Sequence, residues 1–250
     1  MLRKDAFKQI VEVGKRLYSK GMVAANDGNL SVRLNDNEIV ITPTGICKGC
    51  MTMQDMVVAN WRSGKTLYGK KKITSEAPMH FAAYATRSDI GAIVHAHPIV
   101  STALAVAGLP LDQCILPEII LTIGIVPLAE YATPSTIEVP ESIKQLLPKH
   151  DAILLANHGA ITLGKDLWEA FYKMERLEHF AQIYLVSRLL GNQRILTTEE
   201  VSRLQQLTPN SPIVCETCNV KIDNTGPEIE NKPDIILDAF RRLVSENKVD

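Results

Sequence analysis

Gly91-Ala92-Ile93-Val94-His95-Ala96-His97-Pro98 is the stretch on which the reading of this chain turns. Its apolar start predicts a buried strand. Side chains alternate along a strand, so Val94 and Ala96 face one way and His95 and His97 the other. Two imidazoles on one face of one strand form half of a metal site. A second apolar run, Ile153-Leu154-Leu155-Ala156-Asn157, ends in His158-Gly159 and supplies a third imidazole. Gly159 lets the chain turn sharply beside a ligand. Three neutral imidazoles with an open fourth position are the ligand set of a catalytic zinc or similar divalent ion, whereas a closed structural site needs a fourth protein ligand. Taken alone, His95 and His97 are equally read as strand-end histidines bonded to the backbone.

Around this strand the sequence alternates helices and strands. Asp5–Lys20 carries apolar residues at helical spacing and is ended by Gly21. Asn26-Asp27-Gly28-Asn29 is a turn cluster leading to the alternation Leu30, Val32, Leu34, with polar Ser31 and Arg33 between. Asn35-Asp36-Asn37 turns the chain into a return strand, Ile39–Ile41, and Thr42-Pro43-Thr44-Gly45 forms a small loop. Met53–Asn60 reads as a further strand. Ser75 is read as the N-cap of a helix through Glu76, Met79, His80, Ala83 and Tyr84, with Pro78 tolerated in its first turn. Val100–Ala107 is a short helix, Glu118–Leu121 and Ile125–Leu128 are read as short strands, Pro140–Leu147 as a helix and Ala152–Ala156 as the strand that delivers His158. Asp166-Leu167-Trp168-Glu169 fits a capping box and opens the clearest helix, to about Leu190, with His179 on its solvent side. A short helix starts near Thr197, and a last amphipathic helix is expected at Ile235–Val244.

The 250 residues are 46% hydrophobic with a net charge of −1, enough for a core and no basis for a polyanion-binding surface. Lys70–Lys72 is a lone basic run, solvated or steering a phosphate. The N-terminus lacks the apolar stretch of a signal peptide and no apolar run spans a bilayer, so the chain is read as cytoplasmic, with no nucleic-acid or membrane partner. Five cysteines, an odd number, argue against a disulfide framework and for unlinked thiols. Cys47/Cys50 and Cys215/Cys218 form two CxxC pairs, which in principle build a second metal site, although their separation far exceeds that of a compact zinc ribbon.

Five segments together carry a further reading: Asn26–Arg33, Ile41–Gly45, Thr74-Ser75-Glu76, Val94–His97 and Asn157-His158-Gly159. In order and spacing they resemble the class II aldolase/adducin family, over about residues 5 to 190. The resemblance implies an α/β fold, three-layer α/β/α with a central, mainly antiparallel sheet. It divides the chain into a catalytic domain, 1–195, and a C-terminal extension, 196–250, without an assigned role. It also implies a homotetrameric ring with active sites at subunit interfaces. By resemblance His95, His97 and His158 bind one Zn2+ per subunit, and Glu76 is the catalytic carboxylate that also ligates the metal in the free enzyme. Asn29, Thr44, Gly45, Thr74 and Ser75 fall at substrate-phosphate positions. That agrees with the anion preference of small loops and a helix start.

The activity so implied is that of an aldolase cleaving a 1-phosphorylated ketose to dihydroxyacetone phosphate and an aldehyde, with Glu76 shuttling a proton to and from the enediolate. Burial is expected to raise the Glu76 pKa towards neutral for that task. Sugar-phosphate 4-epimerase, dehydratase or decarboxylase chemistry on the same metal site is the alternative, and a non-catalytic interaction protein like the adducin head is a third reading, disfavoured by the three histidines. One departure stands out. The family's aldolases carry a tyrosine, donated by the adjacent subunit, that protonates the leaving aldehyde oxygen. Here Leu116 falls near its place, which leaves Glu118 or Tyr131 for the acid role. The stretch around Tyr131 fits structure, and Glu118 fits either catalysis or an interface contact.

Overall fold

The histidine strand lies at the centre of an eight-stranded sheet. The structure, a computed structural model, describes residues 2–191 and 193–207. Its strands are β1 (Asn29–Arg33), β2 (Glu38–Ile41), β3 (Val57–Asn60), β4 (Thr66–Tyr68), β5 (Ala92–Ala96), β6 (Leu128–Ala129), β7 (Ala152–Leu155) and β8 (Gly159–Gly164), in the order β4-β3-β2-β1-β5-β8-β7-β6. Every pairing is antiparallel except β6 with β7. The helices are α1 (Arg3–Ser19), α2 (Ala77–Thr86), α3 (Ile99–Val106), α4 (Pro117–Thr122), α5 (Glu138–Ile143), α6 (Leu167–Leu189) and α7 (Thr198–Leu207).

Alternation along the strands makes two cores. Leu30, Val32, Val94 and Ala96 face one side and meet α1, α3 and α6. Ile39, Ile41, Ile93, Ile153 and Ile161 face the other and meet α2 and α5. This is the expected α/β/α layering. Each wholly buried large side chain, such as Phe171 or Leu177 of α6, contributes about 1.5–3 kcal/mol.

Several expectations need correction. Glu118–Leu121 is helical, within α4, because Pro117 cannot donate to a ladder but suits the first turn of a helix. Of the run 125–128 only Leu128 is in a strand, β6. Gly159–Gly164, to which the sequence reading assigns no element, is the strand β8, held by β5 on one side and β7 on the other. The run from Met53 is split by a 3-10 turn at Met53–Asp55 that Thr52 and Asp55 cap reciprocally. Cys47 and Cys50 carry free thiols, as expected for those two. Cys215, Cys218 and the helix expected at Ile235–Val244 lie outside the described residues. The start of the C-terminal extension docks on the domain, where Val201 of α7 packs with Ile120 of α4. No helix among the described residues is long and apolar enough to cross a membrane.

The turn after the histidine strand is fastened from a distance. Helix α3 begins at Pro98 with no side-chain cap of its own. Glu178 of α6, 6% exposed, accepts from the Val100 and Ser101 amides at 3.0 and 2.9 Å and from the Ser101 hydroxyl at 2.8 Å. Replacing Glu178 by Ala leaves buried donors unpaired. We expect the variant to lose about 1–3 kcal/mol in urea denaturation, and an unchanged midpoint would show that this carboxylate does not hold α3 in place.

Candidate active site

The register of the sheet assembles the site. Asn29 of β1 lies directly opposite His95 of β5, so the two side chains share a face. His97 follows at the strand end, and His158 sits in the turn joining β7 to β8, where Asn157 adopts positive φ (56°). Two glycines permit the approach. A Cβ on Gly159 would stand 2.6 Å from the Ala96 carbonyl oxygen and 2.6 Å from His97 Cδ2, and one on Gly28 would stand 2.8 Å from the His95 carbonyl oxygen.

One ligand nitrogen from each of His95, His97 and His158 falls within 4.8 Å of the others. His95 Nε2 and His97 Nε2 are 3.1 Å apart. The edge of a tetrahedron with metal–nitrogen bonds of ~2.0–2.1 Å is ~3.3–3.4 Å, so the spacing suits one ion. His95 Nδ1 lies 2.9 Å from the Ala160 carbonyl, which leaves its Nε2 lone pair for the centre. Glu76 closes the cluster, with Oε2 3.3 Å from His95 Nε2 and Oε1 3.1 Å from His158 Nε2. That Oε1 is buried yet has no partner in hydrogen-bond geometry. Three imidazoles and an orphaned carboxylate oxygen are a donor set that fits a divalent transition metal. The arrangement outweighs the reading of backbone-bonded strand-end histidines.

Electrostatics follow from burial and these neighbours. Burial, then repulsion from His95 and His158, pushes His97 down to about 3, the neutral form a ligand needs. Burial also opposes charge on His95, but Glu76 and the Ala160 carbonyl outweigh it and leave its pKa raised. For Glu76, burial works upward, yet His95 and His158 override it and hold the carboxyl well below the usual carboxylate range. The expectation of a Glu76 pKa raised towards neutral is thereby corrected: in this setting Glu76 is an anion.

The loops expected to take phosphate run side by side. Pro43 bridges Ile73, the Thr44 amide donates to Lys72 O, and the Thr74 amide donates to Thr42 O. Thr44 and Gly45 are exposed. Ser75 is not the helix cap. The helix starts one residue later, with Glu76 at the cap position and its side chain turned to the histidines. The Thr74 hydroxyl accepts from the Glu76 amide at 3.3 Å, and Ser75 is exposed and accepts from the Ser135 hydroxyl at 2.8 Å. Asn29 is 2% exposed and donates through Nδ2 to Glu76 Oε2 at 2.6 Å. Glu118 is exposed on the first turn of α4, and among the described residues no hydrogen bond or ion pair joins its side chain to the histidines or Glu76. Tyr131 is also exposed.

Two groups were missed in the sequence. Lys48, 1% exposed, donates to Asn26 O at 2.8 Å and Ile46 O at 2.7 Å and so ties the turn before Asn29 to the loop after Gly45. Burial lowers its pKa to about 8 against the attraction of Asp27, Cys47 and Glu76. A lone lysine inside a CxxC gave no hint of this. The other group is Ser31, His80 and Tyr84. Its signal was present: Glu76, His80 and Tyr84 recur every four residues from the cap of α2 onward, facing the polar side of β1.

Residues 8–185 match the model of the Class II Aldolase and Adducin N-terminal domain. The chain belongs to the class II aldolase/adducin family. It is 34% identical over 182 residues to an L-fuculose phosphate aldolase of Methanococcus maripaludis, covering 72% of this chain and 97% of that one. It is 31% identical over 202 residues to a 3-oxo-tetronate 4-phosphate decarboxylase of Pectobacterium atrosepticum, covering 78% and 90%. A solved L-fuculose 1-phosphate aldolase superposes with a TM-score of 0.76 at 32% identity, covering 81% of this chain and 95% of that one.

The close approach of Gly159 to His97 gives a direct check. Gly159→Ala must displace the His97 ring. We expect zinc affinity to fall about 10–100-fold, the range for disturbing a ligand's support, in a competition titration against a chromogenic chelator. Unchanged affinity would mean that His97 is not held where the ion binds.

Proposed function

We propose that this chain is a metal-dependent lyase that cleaves the bond between the α- and β-carbons of the carbonyl of a small phosphorylated substrate and forms the enediolate of dihydroxyacetone phosphate. The observation that carries the reading is Glu76, a half-buried carboxylate whose Oε1 makes no hydrogen bond and whose two oxygens stand 3.1 Å from His158 and 3.3 Å from His95. His95, His97 and His158 would hold the ion, with Glu76 as a further ligand in the free enzyme. A zinc or similar ion bound there supplies a Lewis acid for the oxygens of the enediolate. Glu76 carries the proton to and from the reacting carbon. Asn29, Thr44, Gly45, Thr74 and Ser75 receive the phosphate through amides and hydroxyls. The substrate is a phosphorylated sugar or sugar acid, and the assembly is a homotetrameric ring with sites at subunit interfaces, placing Glu118 where it serves a neighbour's site. Exposed Ile99, Val106 and Ile137 supply apolar surface for such contacts.

Two reactions meet at this enediolate. Cleavage of a 1-phosphorylated ketose between C3 and C4 forms it with an aldehyde. Loss of carbon dioxide from a 3-oxo-tetronate 4-phosphate forms the same enediolate, because the carbons that remain are those of dihydroxyacetone phosphate. The aldolase reading is the first. The decarboxylase reading is favoured by one specific feature, Leu116 in place of the family's tyrosine. Carbon dioxide departs from a carboxylate with no hydroxyl proton to move, whereas an aldehyde forms only as the C4 hydroxyl gives up its proton to such a group. Epimerase and dehydratase chemistry lacks a comparable support.

The test is release of dihydroxyacetone phosphate from a panel of 1-phosphoketoses and from 3-oxo-tetronate 4-phosphate, with zinc-loaded and chelated protein. We expect chelator-sensitive release from one of the two classes, and a fall of about 10²–10⁴-fold in Glu76→Gln. No release from either class by metal-loaded protein would refute the proposal.

A further inference from the structure

The side of β1 that its alternation would leave to solvent is buried under α2 and holds a closed chain of hydrogen bonds. Asn29 Nδ2 donates to Glu76 Oε2 at 2.6 Å. His80 Nε2 makes a short contact to Asn29 Oδ1. Ser31 Oγ lies 2.7 Å from His80 Nδ1 and 2.8 Å from Tyr84 Oη. His80 and Ser31 are wholly buried, and Asn29 and Tyr84 are 2% exposed.

Counting donors fixes every proton in the chain. A carboxylate only accepts, so Asn29 turns its amide nitrogen to Glu76 and its carbonyl to His80. That carbonyl also only accepts, so His80 Nε2 carries the hydrogen. His80 is buried with no carboxylate against its ring, so it is neutral and its Nδ1 is an acceptor. Ser31 therefore spends its one proton on Nδ1, and Tyr84 donates to Ser31. The far end is fixed as well. Arg33, 4.7 Å over the Tyr84 ring, donates to the carbonyls of Tyr84 and Arg87, both at 3.1 Å. Reversing the Asn29 amide would set its NH2 against the His80 N–H and leave buried groups unpaired, at a cost of about 1–3 kcal/mol each.

We propose that His80 is a positioning residue for the lyase reaction: through Asn29 it keeps an N–H aimed at Glu76 Oε2, which leaves Oε1 as the oxygen that takes up and returns the proton. The inference rests on the reading of Glu76 as the proton carrier. His80 itself touches no reacting atom. Its donor sets which oxygen of the base accepts from Asn29 and which is left without a hydrogen bond beside His158.

The experiment is deuterium uptake by dihydroxyacetone phosphate in D2O, followed by NMR, with zinc-loaded wild type, Glu76→Gln, His80→Phe and His80→Gln. Glutamine keeps a donor for Asn29 Oδ1, and phenylalanine keeps only the ring. We expect His80→Phe to lose about 10–100-fold in kcat, with KM within about threefold and zinc content unchanged. His80→Gln should recover to within about threefold of wild type. A wild-type rate in folded His80→Phe, or no recovery in folded His80→Gln, would overturn the inference. Should the Phe variant fail to fold, the ring nitrogens of wild-type His80 decide: long-range 15N–1H spectra must show hydrogen on Nε2 and none on Nδ1, and a proton on Nδ1 overturns the assignment. Exchange that survives Glu76→Gln, or no exchange by wild type, would instead strike the proton-carrier reading, so the two failures are distinguishable.

Discussion

One buried carboxylate beside three imidazoles is the constraint to which the rest of the molecule answers. An isolated carboxylate out of water is costly unless its charge is met. Here His95 and His158 stand 3.3 and 3.1 Å from its two oxygens and Asn29 donates to one of them. The imidazoles in turn need something between their facing lone pairs, and a divalent ion meets both needs. The sheet register that sets Asn29 against His95 and the two glycines beside the histidine strand are the means of crowding these groups together.

The same chemistry explains why β1 is built as it is. Its apolar side chains feed the core under α1 and α6, while Asn29, Ser31 and Arg33 run down the other side into α2. A half-buried antiparallel strand would normally show such alternation with its polar side wet. In this chain that side is dry, and it is tolerable only because each polar group has a partner of fixed sense. A satisfied polar network of this kind gives a single arrangement, which is what a proton-carrying group requires of its surroundings.

Much of this was legible in the sequence. The histidine strand, the strand ending at His158 and the capped helix from Asp166 carried clear signals in period, glycine and cap chemistry, and the layered fold followed from them. What was not legible depended on tertiary context. Gly159–Gly164 is short and glycine-bounded and becomes a strand through its two neighbours. Pro117 turned an apolar run into a helix. The sign of the Glu76 shift turned on which groups face it, since burial alone pointed the wrong way. Lys48 and the polar side of β1 make contacts between segments far apart in the chain, which no local pattern encodes.

The central claim is that the three histidines hold one catalytic divalent ion beside Glu76. Titration of the metal-stripped protein with Co2+, read by visible absorption, tests it most directly. One Co2+ per chain, with the intense bands of a low-coordinate site, displaced by Zn2+ and not taken up by folded His95→Ala, is the predicted result. Saturation with no Co2+ bound, or equal binding by the variant, would contradict the account.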